Sequence, residues 1–161
     1  MPEEGGLEEA FMRRAIALSR RGMEVAAGGP FGAVVVRDGR VLGEGWNQVT
    51  STNDPTAHAE VVAVRRACAA VGAFELRGAT VYTSCEPCPM CLAALYWARV
   101  DAVVYGNARE AAARIGFDDE WLYREVPKPL AERSLPMRRL LAAEALEVFE
   151  AWAAKPDKVP Y

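Results

Sequence analysis

The stretch ATVYTSCEPCPMCLAALYWAR, residues 79–99, passes from a strand to a helix through three evenly spaced cysteines. Ala79 to Thr83 reads as a short strand. Two prolines decide the geometry beyond it. A residue before proline avoids the α region, and proline is well placed as the first residue of a helix. Pro89 therefore opens a helix running to about Arg99, with Cys88 as its N-cap. Cys91 lies three residues on, so the side chains of Cys88 and Cys91 converge on one side of the helix start, whereas Cys85 belongs to the strand end. A helix N-terminus favours anions and lowers thiol pKa, which sets up Cys88 and Cys91 as thiolates for a borderline-soft cation such as zinc.

Working outward, DAVVYG (Asp101 to Gly106) is a further strand. Upstream, TAHAEVVAVRRAC (Thr56 to Cys68) is an alanine-rich helix with Thr56 as its expected N-cap, which puts His58 and Glu60 in its first turn. A polar loop from Asn47 to Asp54 precedes it. AVVV (Ala33 to Val36) and VLGEGW (Val41 to Trp46) flank Asp38 and Gly39, a dipeptide suited to positive φ, and so form a β-hairpin. The first helix runs from Leu7 to about Ala27 and is stopped by Gly28, Gly29 and Pro30. Helix, hairpin, then strands alternating with helices predicts a mixed sheet covered on both faces, a three-layer α/β/α arrangement. Beyond Gly106 come a short helical patch, the loop GFDD (Gly116 to Asp119) and VPKP (Val126 to Pro129), whose prolines interrupt regular structure. Leu135 to Ala154 reads as mostly helical and ends in the tail KPDKVPY.

A chain of 161 residues, 52% of them hydrophobic, fits one domain with a core that needs no disulfides. The net charge of −3 argues against a broad phosphate-binding surface and favours a small-molecule substrate over nucleic acid. Paired arginines such as Arg65 and Arg66 fall in helical patterns and read as solvated faces. The opening MPEEGG is acidic and glycine-rich and does not read as a leader, and no segment approaches the ~20 apolar residues that cross a bilayer. The expectation is a soluble, cytoplasmic protein without membrane partners, in which clustered cysteines bind metal or do chemistry.

Two sulfurs leave a tetrahedral zinc short of ligands. His58 is the only histidine, and it begins a helix expected on the same sheet. The predicted site is His58, Cys88, Cys91 and water, with Glu60 beside the water, the open arrangement that catalysis needs. The bland alternative is a closed structural site in which Cys85 is the fourth ligand, as in a zinc-stabilised binding domain without turnover.

His58, Ala59 and Glu60, taken with PCPMC (Pro87 to Cys91), match the zinc nucleobase deaminase signature. Together with GPFGA (Gly29 to Ala33), NDPTAHAE (Asn53 to Glu60), TSCEPCPMC, YWAR (Tyr96 to Arg99), GFDD and the terminal Tyr161, these motifs resemble the bacterial guanine deaminases of the cytidine deaminase superfamily. The likeness covers nearly the whole chain. It implies the cytidine deaminase-like fold, with a central mixed sheet of about five strands in a single domain of residues 1–161. It also implies Zn2+ as cofactor, one per active site, and hydrolysis of guanine to xanthine and ammonia. A homodimer is implied too, in which residues 130–161 form an arm exchanged between subunits, with Val126 to Pro129 as a suitable hinge.

On this reading Glu60 moves the proton of the attacking water to a ring nitrogen. Asp119, carried over from the resemblance, serves the leaving amino group, and Asp118 is the adjacent alternative. A purine base also needs polar groups at its edge and flat surfaces on its faces. Asn47 and the backbone amide of Ala59 are the candidates for the edge; Phe31, Trp97, Phe117 and Tyr161 are the stacking candidates. Deamination of guanosine or of an aminotriazine is the near alternative, and a tRNA adenosine deaminase the more distant one.

Overall fold

Asp38 and Gly39 both take positive φ, 51° and 70°, and close a two-residue hairpin between β1 (Gly32–Arg37) and β2 (Arg40–Trp46) in the computed structural model, which describes residues 4–161. β1 pairs antiparallel on its other side with β3 (Thr80–Cys85), and β3 pairs in parallel with β4 (Ala102–Asn107). The order β2-β1-β3-β4 makes a mixed sheet of four strands among the described residues, close to the expected five. After β4 the chain forms two short helices, α5 (Arg109–Arg114) and α6 (Asp119–Glu125).

β1 is buried on both faces, which is why its sequence is a continuous apolar run and not an alternation. Val34 and Val36 meet Ala15 of the first helix, α1 (Glu4–Glu24), on one face. Ala33 and Val35 meet the alanine stripe Ala59, Ala63 and Ala67 of α3 (Ala59–Val71) on the other. The sheet allows α3 to approach very closely, because a Cβ on Gly43 would stand 2.5 Å from the Ala67 backbone nitrogen. Leu95 and Ala98, within and just after α4 (Pro89–Trp97), complete that core. The three layers are those predicted. Close helix-to-sheet packing brings the starts of α3 and α4 to the same end of the sheet.

Local differences have local causes. The N-cap of α3 is His58, not Thr56. Asp54 Oδ1 accepts from both the backbone N–H and the hydroxyl of Thr56, at 2.8 and 2.6 Å, so that side chain is committed to a turn before the helix. A single helical turn, α2 (Val49–Thr52), stands within the segment expected to be loop.

The chain divides into two compact units, one ending at Tyr123 and the other Arg124–Tyr161. The second holds a single 3-10 turn, Leu130–Glu132, and the helix α7 (Ala142–Ala154), which does not start near Leu135, since Pro136 excludes Leu135 from the α region and removes a backbone donor. Its α7 exposes Leu146, Val148, Phe149 and Trp152. Among the described residues no helix is long and apolar enough to cross a membrane.

Candidate metal centre and active site

Cys88 caps α4 with Pro89 as the first helical residue, as the two prolines require. Its sulfur lies 3.6 Å from His58 Nδ1, and the sulfur of Cys91 lies 3.5 Å from the same nitrogen. The three ligand atoms are all within 4.8 Å of one another. A tetrahedral zinc bonded to both atom types would separate sulfur from nitrogen by roughly 3.5 Å. The trio therefore fits a zinc ion through a donor set of one imidazole and two thiolates. The Cys91 thiol donates towards Cys88, which falls to about 4 with His58 adding to the effect, and Cys91 rises in exchange. Cys88 in turn raises His58.

Cys85 stands outside this trio. It ends β3, and burial, with the charges of Asp119 and Glu60 adding, pushes its thiol up to about 12.

His58 and Cys88 of the trio line a cavity of about 400 Å³, and Phe31, Asn47, Glu60, Cys85, Phe117 and Asp119 are also in its wall. Glu60, in the first turn of α3, is only 6% exposed, and that burial raises its pKa. The Thr83 hydroxyl lies 3.0 Å from Glu60 Oε1 and 3.1 Å from the carbonyl oxygen of Cys85. A hydroxyl has one hydrogen, so it serves one of these acceptors at a time. With Glu60 ionised it donates to the carboxylate. With Glu60 protonated the carboxyl donates to Thr83, and Thr83 donates to Cys85. The site thus accommodates Glu60 in both protonation states.

Asn47 is buried, and its Oδ1 accepts from the backbone N–H groups of Gly29 and Val49 at 3.3 and 3.1 Å. Its carbonyl is spent on the loop, which leaves the amide N–H groups for a ligand. Phe31 and Phe117 meet edge to face with centroids 4.8 Å apart. Asp119 begins α6 half-buried, and burial raises its carboxyl, with the negative Cys88 adding; Asp118 is exposed.

Ala59 is fully buried as the first residue of α3, between His58 and Glu60. Trp97 is the last residue of α4, is 59% exposed, and does not line the cavity. Tyr161 is exposed at the end of the second unit and is not among the lining residues either. Residues not anticipated in the wall are Gly29, Val49, Thr50, Pro55, Cys85 and Glu86. Glu86 sits inside the cysteine stretch and Pro55 inside NDPTAHAE, so both belong to motifs that the sequence makes conspicuous. Thr83 can be found from the period of two along β3, which puts it on the same side as Cys85.

Comparison with known proteins places this geometry. Residues 6–107 match the cytidine and deoxycytidylate deaminase zinc-binding region. The chain is 50% identical to the guanine deaminase of Bacillus subtilis over 153 residues, 95% of this chain and 98% of that protein. The X-ray structure of the Bacillus subtilis guanine deaminase superposes with a TM-score of 0.92 over the same shares of the two chains. A guanine deaminase structure from Nitrosomonas europaea is 31% identical, with a TM-score of 0.66 over 75% of this chain and 66% of that one. A tRNA-specific adenosine deaminase of Haemophilus influenzae is 37% identical over 118 residues, 70% of this chain and 68% of that protein. The likeness to the Bacillus enzyme covers 95% of the chain and so reaches into both units, and the chain belongs to the cytidine and deoxycytidylate deaminase family, on its guanine deaminase branch.

Proposed function

We propose that the protein hydrolyses guanine to xanthine and ammonia with one zinc ion per active site, held by His58, Cys88 and Cys91. Zinc bound there lowers the pKa of a water molecule towards neutrality. Glu60 takes a proton from the attacking water and delivers it to a ring nitrogen of the base as the water oxygen bonds to C2. Asp119 carries the remaining proton of the added water from the new C2 hydroxyl to the exocyclic nitrogen, the C–N bond breaks as the C2 carbonyl forms, and ammonia leaves. Its cavity position supports this role over exposed Asp118. Asn47 donates to an acceptor on the base edge, with the backbone N–H of Ala59 as a second donor. Phe31 and Phe117 offer the aromatic wall.

The observation that carries the reading is the extent of the Bacillus match. The zinc-binding region ends at residue 107, yet the match to the guanine deaminase continues through most of the chain beyond that residue. A polynucleotide substrate is further disfavoured by the net charge of −3. The test is ammonia release from guanine, guanosine, adenine, cytosine and aminotriazines. Guanine is expected to lead by at least tenfold, and a preference for any other base overturns the assignment. The same reading includes a cytoplasmic homodimer with the arm 130–161 exchanged. The apolar side chains that α7 exposes support a partner there. Deleting Pro156 to Tyr161 should lower guanine turnover far more than stability if Tyr161 closes the site.

A further inference from the structure

Asp119 lies on a helix of seven residues, too short to hold its own position, so the surrounding contacts decide where the carboxyl points. Two anchors bracket it. Phe117, two residues before, packs edge to face on Phe31. Tyr123, four residues after and on the same face of α6, donates its hydroxyl to the carbonyl of Pro87 at 2.5 Å. Pro87 immediately precedes the metal-site residue Cys88.

The ring of Tyr123 is itself held. The Arg109 guanidinium sits 3.8 Å from its centroid. Arg109 is fixed by Glu86, whose Oε2 accepts from the Arg109 backbone N–H at 2.9 Å while Oε1 accepts from Nε at 3.1 Å and pairs with a terminal guanidinium nitrogen at 2.9 Å. The Glu86 N–H donates to Asn107 at the end of β4. Glu86, Arg109, Tyr123 and Pro87 thus form a closed ring that ties α6 to the loop before Cys88. Two guanidinium nitrogens on one carboxylate oxygen, the backbone N–H on the other, and the stacking make the ring geometrically specific.

We propose that Tyr123, held by Arg109 and Glu86, is a positioning residue that fixes Asp119 relative to the Cys88 loop. The inference rests on the reading of Asp119 as the second proton carrier. A displacement of about 1 Å in a reacting group can cost on the order of 100-fold in rate. Tyr123→Phe keeps the ring and its cation stack and deletes only the hydroxyl.

The expected result is unchanged zinc content, a KM for guanine within about twofold of the parent, and a kcat lower by roughly 10- to 100-fold. In an Asp119→Asn background, Tyr123→Phe should lower the remaining rate by less than about twofold, because effects passing through one group are not additive. Arg109→Gln loosens the same ring from its other side and should give the same split between kcat and KM. An unchanged kcat in Tyr123→Phe, a loss confined to KM, or a full additional loss in the double variant overturns the positioning role. If Asp119→Asn alone leaves kcat unchanged, the assignment of Asp119 falls first, and the positioning role falls with it.

Discussion

Replacing Glu60 by Gln tests the proposed chemistry most directly. The two side chains have nearly the same shape, and the amide oxygen of Gln can still accept from Thr83 as Glu60 Oε1 does at 3.0 Å. What disappears is the second oxygen, which must accept a proton and give it back. Proton transfer by a positioned side chain contributes typically 10²- to 10⁴-fold. Glu60 is used twice in one turnover, so the loss should lie near the upper end, about 5 kcal/mol of barrier at ~1.4 kcal/mol per decade. Stability should not fall, because Glu60 is buried and a buried neutral amide costs less than a buried carboxylate. The assay combines xanthine formation, zinc content by atomic absorption and the melting temperature. Turnover within tenfold of the parent, with zinc retained, refutes the role of Glu60. Joint loss of zinc and activity refutes it too, since it would make Glu60 a support for the metal and not a proton carrier.

Thr83→Val removes the hydroxyl shared by Glu60 and the Cys85 carbonyl; kcat should fall about tenfold and urea unfolding should show a loss of about 1–2 kcal/mol. Gly28→Ala would place a Cβ 2.1 Å from Asn47 Oδ1, so the loop that orients Asn47 must move; the KM for guanine should rise at least ~10-fold with kcat less affected, as for lost ground-state binding. Cys85→Ala should keep one zinc per chain by metal analysis, since Cys85 lies outside the ligand trio. In the parent, alkylation of Cys85 should be slow at pH 8 and accelerate towards pH 12, because burial raises that thiol to about 12 and only the thiolate reacts.

How much of the site can be read from residues alone depends on how local the cause is. Pro87 and Pro89 act on their immediate neighbours, so the placement of Cys88 and Cys91 at a helix start is legible from ten residues. The hairpin at Asp38 and Gly39 is legible for the same reason. Thr56 shows the limit: a good capping residue loses its role because Asp54, two positions earlier, engages its hydroxyl first. Asn47 carries a donor and an acceptor in any sequence, but the fold decides that the acceptor faces Gly29 and Val49. The partnership of Thr83 with Glu60 needs the pairing of β1 with β3 and the packing of α3, contacts between distant segments. Trp97 looks like a stacking ring from its type alone, and only the length of α4 shows that it ends the helix away from the cavity.

The two ligand-bearing helix starts share a feature that links fold to chemistry. His58 and Cys88 both occupy N-cap positions in extended conformation, and neither side chain caps its helix. Ser, Thr, Asp or Asn at such a position would satisfy an N–H of the first turn, a contribution of about 1 kcal/mol per helix. Both helices forgo it, and both direct instead an atom able to bind a metal at the same point. The positive ends of two helix dipoles therefore converge where the thiolate of Cys88 sits and where, in the proposed mechanism, negative charge grows as water attacks the base. Removing the uncapped ends would make α3 and α4 better helices and the site a worse one. The sheet offsets that cost through the close seat of Ala59, Ala63 and Ala67 against Gly43, which holds α3 in place without a cap.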